Sequence, residues 1–196
     1  MGNRRQFIQR SALFASGMTL PILSAGLRAS PTRVRRGTIL GPGAIDNAEN
    51  GEREFYLGMV DLDQPEPYPV NTIQLDFFAH GVSPDPQRPN RSALFQKQGP
   101  GACEVDLVEK AVIRPIATLK DRRFYGHGAY SPDGSLLYAT ETIMSSPDLK
   151  GIVSVRDAKT LEYLGEFPSF GAQPHDCQLI DDGKVMAVTN GGLHFG

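Results

Sequence analysis

The sequence lacks most of the short motifs that announce a reaction. It has no glycine loop that cradles phosphates, no Gly-x-Ser-x-Gly elbow, no Cys-x-x-Cys-His haem attachment and no His-x-x-x-His pair. Those absences remove the sequence signatures of nucleotide, serine-esterase, c-type haem and helical zinc chemistry. No stretch beyond the N-terminus carries a 3.6-residue apolar period, which argues against a helical fold. Basic charge is not in excess: the formal net charge of 196 residues is -2, so no nucleic-acid footprint is expected. There are two cysteines, Cys103 and Cys177. A disulfide needs Cα atoms within roughly 7 Å, and these two fall at different phases of the repeat described below. Two buried thiols are expected instead.

What is present begins with an uneven split of charge. Residues 1–29 contain Arg4, Arg5, Arg10 and Arg28 and no acid, leaving 16 basic against 22 acidic residues in the rest, a charge near -6. Asn3-Arg4-Arg5-Gln6-Phe7-Ile8 precedes a mildly apolar stretch, Ser11 to Leu27, that is broken by Gly17 and Pro21 and is too short for a confident membrane span. An arginine pair followed by Phe7 is the pattern of a twin-arginine export signal. The sequence therefore predicts a signal peptide over 1–29, a linker over 30–36 and delivery to the periplasm. The membrane would be met only during export.

The body of the chain repeats a phrase. It reads His80-Gly81 … Ser83-Pro84-Asp85, then His127-Gly128 … Ser131-Pro132-Asp133-Gly134, then His175 … Asp182-Gly183, with the histidines 47 and 48 residues apart. That period accommodates one four-stranded sheet with its turns, as in a β-propeller blade. Pro-Asp-Gly supplies a preset φ, a side chain that bonds its own backbone and a residue free to take positive φ. It should reverse the chain between the first and second strands of each blade. Gly37–Ile45, Glu54–Asp63 and Val70–Asp76 read as strands of an incomplete first unit. In the next unit Ala111-Val112-Ile113 is expected to run on to Leu119. The predicted fold is all-β, an incomplete propeller of about 3.4 four-stranded blades over 37–196. Such a length is expected of a piece of a longer chain. Glu104, Asp106 and Glu109 read as solvent-facing, and Arg122-Arg123 as a blade-edge loop with anion capture as the alternative.

Several segments together resemble the DUF1513 family: Phe124-Tyr125-Gly126-His127-Gly128, Ser131-Pro132-Asp133-Gly134, Leu137-Tyr138-Ala139-Thr140-Glu141, Gly165-Glu166-Phe167-Pro168, Pro174-His175 and Val188-Thr189-Asn190-Gly191-Gly192. The resemblance spans roughly Gly37–Gly196 and covers the N-terminal half of a typical member. It implies a bacterial exported protein of unassigned function with a seven-bladed propeller-like repeat. More distantly, it implies kinship with the propellers of lactonases and amine dehydrogenase subunits. Members are often encoded beside imelysin-type iron-uptake proteins, which implies periplasmic iron handling. Asp176 departs from the family pattern, standing where glutamate is usual. No catalytic residue is carried over, because the family has none assigned.

His80, His127 and His175 share one phase of successive blades, so on innermost strands they would form a ring at the channel mouth. Three neutral imidazoles there could bind iron, copper or zinc, aided by Asp176 or Cys177. The competing reading is a scaffold in which each histidine bonds within its own blade, since every blade needs its turn held. Three functions follow: a periplasmic binding protein for a metal, small ligand or protein partner; a channel-mouth enzyme, either a metal-dependent oxidoreductase or a lactonase-like hydrolase; and a ligand-free interaction scaffold. Replacing Arg4 and Arg5 by lysine should abolish periplasmic delivery, as measured by cell fractionation; unchanged delivery would rule out the twin-arginine route.

Overall fold

The computed structural model describes residues 37–48 and 50–192; the expected signal peptide with Arg4, Arg5 and Phe7, the linker over 30–36, and His194 lie outside them. Thirteen strands and no helix occur among the described residues. The first blade contributes β1 (Thr38–Asp46), β2 (Arg53–Asp61) and β3 (Val70–Leu75), paired antiparallel in that order. The second comprises β4 (Ala79–Pro84), β5 (Arg91–Gly99), β6 (Ala102–Asp106) and β7 (Ala111–Pro115). The third comprises β8 (Arg122–Tyr130), β9 (Leu136–Ile143), β10 (Lys150–Asp157) and β11 (Tyr163–Ala172). Two further strands, β12 (Pro174–Ile180) and β13 (Val185–Asn190), open the fourth. The strands follow the repeat, and the sheets do not close into a ring.

The turns form for the reason the sequence gives. Asp133 accepts from the backbone N–H of Ser135 at 3.0 Å and from the Ser131 hydroxyl at 2.5 Å, and Gly134 takes φ +67°. Those bonds, the Ser131 hydroxyl first, hold the Asp133 carboxyl down at about 2. Asp85 accepts from the N–H groups of Gln87 and Arg88, and Asp157 from those of Lys159 and Thr160. Each aspartate thus does with its side chain what a ladder would otherwise do for the turn's N–H groups.

Packing follows strand alternation. Within β5, Ala93 and Phe95 point to the third blade and meet Phe124, Leu137 and Ala139; Leu94 points to the first and meets Leu57, Met59, Ile73 and Leu75. Phe95, Phe124, Leu94 and Leu57 are fully buried, each contributing about 1.5–3 kcal/mol by leaving water. Of the strands farthest from the histidine strands in each blade, β7 is exposed at every position but the half-buried Arg114, and β11 alternates with exposed positions along most of its length. Beyond the separate blades that the repeat predicts, β5 also pairs with β8 through Lys97↔Tyr125 and Gly99↔Phe124. This short ladder ties the second blade to the third next to the innermost strands.

Two expectations need correction. Glu104 and Asp106 are buried rather than solvent-facing, while Glu109 is exposed. A middle strand of a blade is covered on both faces, so alternation there separates two neighbouring blades rather than core from water. Glu104 is held by Arg88 at 3.3 Å and Arg114 at 2.9 Å, and the same arginines donate to the carbonyls of Ala158 and Lys159 in the third blade. Strand β7 ends at Pro115 instead of running on to Leu119; Ile116 still donates to the Ala102 carbonyl at 2.8 Å and buries its side chain. Both cysteines are free and buried, as expected.

The third blade has its own buried pair. Arg156 meets Glu141 at 3.0 Å with both side chains almost wholly out of water, and the Ser154 hydroxyl donates to the same Glu141 oxygen at 2.6 Å. Deleting one member of such a pair strands the other charge, at a cost of about 3–5 kcal/mol. Glu141→Leu should therefore lower the urea midpoint strongly, and adding Arg156→Met should restore most of the loss; equal midpoints for wild type and the single variant would refute the pair's role.

Candidate metal centre

The three histidines lie on β4, β8 and β12, the first strand of each successive blade. Each sits at a break in the ladder. Register slips between Ala79 and Gly81 in β4, between Phe124 and Gly128 in β8, and between Pro174 and Asp176 in β12. The residues left out of the ladder with the next strand of the same blade are His80, the group Tyr125-Gly126-His127, and His175 respectively. A bulge re-aims a side chain that regular pleating would send to a sheet face. Here three bulges at one phase turn three imidazoles toward one point.

Ring centroids are separated by 4.9 Å (His80–His127), 5.3 Å (His80–His175) and 4.8 Å (His127–His175). The Nε2 atoms of His80 and His175 are 3.2 Å apart, and one ring nitrogen from each histidine lies within 4.8 Å of the others. The contacts run between blades. All three histidines are half-buried.

Such crowding needs missing side chains. A Cβ on Gly81 would lie 2.1 Å from the Gly126 carbonyl oxygen, and one on Gly126 would lie 2.7 Å from Cδ2 of the His80 ring. Gly126 also has φ +117°, a conformation that L side chains rarely adopt. The Thr140 hydroxyl donates to the His127 carbonyl at 3.0 Å and so holds the backbone of the β8 bulge. Across the blades, the Ser83 hydroxyl donates to the Gly128 carbonyl at 2.6 Å.

Burial favours the neutral form of two of the rings, His80 and His127. Burial lowers the His80 pKa from 6.5, helped by His127, Lys97 and His175. Burial also lowers that of His127; Asp176 opposes the shift, while His175 and Lys97 add to it. Neutral imidazole is the form that ligates metal. Of the two helpers weighed from sequence, Asp176 places Oδ1 3.8 Å from Nδ1 of His127, outside hydrogen-bond reach, while the same oxygen accepts from the Cys177 N–H at 2.8 Å. Cys177 is wholly buried, and burial, then Asp176, pushes its thiol up to about 12. It stays a thiol, apart from the donor set.

Sequence reasoning missed Lys97 and Tyr125. Lys97 Nζ lies 5.9 Å from the centroid of the Tyr125 ring, whose own centroid is 6.5 Å from that of His175. Tyr125 stands two residues before His127; Phe78 and Gln173 hold the matching places before His80 and His175. That change of residue type within a constant frame was the available signal. Lys97 gave none. Arg122 and Arg123 open β8 rather than a loop, and Arg122 pairs with Glu166 at 2.9 Å.

The family model for DUF1513, a protein family of unknown function, matches residues 73–195. The chain belongs to that family. A comparison with curated proteins finds no match. Among solved structures, Kuenenia stuttgartiensis hydrazine synthase is similar with a TM-score of 0.57 at 16% identity, over 70% of this chain and 38% of that one. The β-propeller domain of Myceliophteria thermophila Cps50 (Swd1) is similar with a TM-score of 0.55 at 15% identity, over 70% of this chain and 47% of that one. The chain thus spans less than half the length of either, and at such identities the likeness is one of propeller fold alone.

Because Gly126 is both left-handed and pressed on His80, Gly126→Ala should displace the His80 ring while leaving the blades paired. Imidazole resonances of all three histidines should shift in NMR spectra with little change in far-UV circular dichroism; unchanged resonances would show that the close approach is dispensable.

Proposed function

We propose that this chain binds a divalent transition metal, zinc or copper, through His80, His127 and His175, as a propeller exported to the periplasm. The observation that carries the reading is the convergence of three imidazoles from three blades on one point. Two nitrogens bound tetrahedrally to zinc, each at about 2.05 Å, lie about 3.3 Å apart. The His80–His175 separation of 3.2 Å matches that spacing. The other ring needs only a side-chain movement to close on the same ion, since its nitrogen is already within 4.8 Å.

The donor set favours one class of metal. Imidazole suits zinc, copper, nickel and iron, and among divalent ions the affinity order puts copper and zinc above iron. Oxygen donors that would select harder ions are not in the set. Iron handling, implied by the family resemblance, is therefore the weaker fit to these residues. Export rests on Arg4-Arg5 and Phe7 and on the contrast between a basic N-terminus and an acidic body.

Three protein ligands leave a coordination position open, and that favours a second reading. Catalytic zinc sites keep three protein ligands and a water, whereas structural sites close with four. A metal-dependent oxidoreductase or a lactonase-like hydrolase at the channel mouth would use that position. Asp176, 3.8 Å from His127, would have to move into hydrogen-bond reach to orient that imidazole. Turnover of lactones or amines by the zinc- or copper-loaded chain would favour the enzyme; metal binding without turnover would favour the binding protein.

The direct test is metal titration of the purified chain. Wild type should bind one equivalent of Zn²⁺ or Cu²⁺. Loss of outer-shell partners alone costs 10–100-fold in affinity, so His127→Ala should cost about 100-fold or more. Protons should compete only in acid: with His80 and His127 depressed from 6.5, both stay neutral at pH 7, and affinity should fall as pH drops below about 6.5. The same sign applies to the metal-free fold, whose share of stability from these rings is present above 6.5 and lost as pH falls through the lowered values. Equal metal content in wild type and the triple alanine variant would overturn the proposal.

A further inference from the structure

Beside the histidine cluster, on the far side of Tyr125, lies a second cavity of about 160 Å³. Gln98, Arg123, Tyr125 and Gln173 are its polar lining residues, Thr142 lies in its wall with the hydroxyl buried behind the surface, and Met144 and Leu149 make it partly apolar. Arg123 and Thr142 are direct partners across the β8–β9 ladder, which fixes their spacing. One of these groups, the Thr142 hydroxyl, has unmet bonding capacity, and another, the exposed Arg123, carries an unpaired charge. The Thr142 hydroxyl is buried, with the residue 2% exposed, and has no hydrogen-bond partner. Arg123 has no ion pair among the described residues, although its neighbour Arg122 is engaged by Glu166. A buried hydroxyl without a partner is costly, and an unpaired guanidinium at the same cavity supplies the charge that would bring it one.

We propose that this cavity is a subsite for the carboxylate of a small organic acid, which the chain takes together with the metal at the adjoining histidines. Arg123 would pair with the carboxylate, for which its planar fork is the matching donor. The Gln98 amide, which already donates to the Tyr125 hydroxyl at 3.1 Å, provides a neutral donor beside it, and a small outward shift would let the buried Thr142 hydroxyl provide a second. The volume sets the size. At about 30 Å³ for each water's share of liquid volume, the cavity holds about five waters, room for an acid of two to four carbons. Met144 and Leu149 accommodate a short apolar body, which phosphate or sulfate lacks.

Tyr125 joins the two sites. Its hydroxyl faces Gln98 in the cavity, and its ring packs edge-on toward His175. Lys97 adds a second cation over that ring, close enough to depress His80 and His127. A dication held by neutral imidazoles and flanked by Lys97 and Arg123 presents net positive charge, with a coordination position left for an anion. The inference rests on the metal reading for its second half, and the cavity stands without it.

Succinate is a suitable probe, with binding to the purified chain followed by calorimetry in the absence and presence of Zn²⁺. The metal-free chain should bind succinate; Arg123→Gln should weaken it at least tenfold and Arg123→Lys less, with Zn²⁺ affinity unchanged in both. Thr142→Val, which removes the hydroxyl and keeps the shape, should weaken it as well. Zn²⁺ should tighten succinate in wild type and not in the triple histidine variant. Retention of Arg123-dependent succinate binding in a chain that binds no Zn²⁺ would support the cavity and sink the metal reading. Normal Zn²⁺ binding with succinate affinity indifferent to Arg123 would sink the subsite alone. Inorganic phosphate binding more tightly than succinate would overturn the assignment to carboxylates.

Discussion

The close approach of the innermost strands is the constraint on which the rest depends. Strands β4, β8 and β12 come from different blades and meet where there is no room for ordinary side chains: Gly81 faces the Gly126 carbonyl, and Gly126 faces the His80 ring. Glycine at both positions lets the backbones converge, and each strand breaks its ladder there. The bulge does two things at once. It frees the strand from flat pairing so that it can follow the turn from blade to blade, and it directs one side chain per blade at its counterparts. The histidine cluster is thus a consequence of how this propeller bends.

Farther from the histidines the blades are held by a different principle. Aliphatic and aromatic side chains fill the planes between sheets, yet Glu104, Asp85, Glu141 and Arg156 are buried among them. Arg88 and Arg114 reach from the second blade to carbonyls of the Ala158–Lys159 turn in the third, so the charges bridge units that a purely apolar plane would let slide. Buried ionic pairs contribute little net stability against well-packed apolar substitutes, but they accept few geometries. In a fold assembled from similar sheets, fixing the register between neighbours is what brings three histidines to the same height. The ionic contacts and the cluster are linked through that register.

Much of this was legible in the sequence, for reasons particular to each element. The Ser-Pro-Asp-Gly turns announce themselves because Asp133 and Gly134 do local work that needs no partner from elsewhere. Strands β9 and β10 read correctly because their apolar runs are long enough to be covered on both faces. The same covering made Glu104 and Asp106 illegible: period-two alternation looks identical whether the second face meets water or another blade, and their partner Arg88 or Arg91 lies in a separate segment. The end of β7 at Pro115 was missed because Ile116 to Leu119 keeps the composition of a strand after the pairing has stopped. The phase of His80, His127 and His175 was visible, whereas their convergence was not. A bulge is a relation between two strands, and no residue type marks it.

Regularity by itself argues for scaffolding, because a blade repeats what every blade needs. The repeated phrase here has two parts with different physics. Its second half closes its bonds within the turn, through the aspartate side chain at Asp85 and Asp133 and through the backbone between Asp181 and Lys184, and would serve any blade. Its first half, the histidine, is left out of the ladder and makes its nearest ring contacts with other blades. A residue whose role is to hold its own blade would be expected to spend its hydrogen bonds there; instead His80 meets His175 at 3.2 Å across the cluster. Around this constant frame the flanking position changes from Phe78 to Tyr125 to Gln173. Repetition supplies three equal donors, and departure from it sets a phenol against His175 and an amide beside it in the lining of the neighbouring cavity. A constant histidine beside a variable neighbour is the pattern that a cation site with a selective flank, as proposed above, requires.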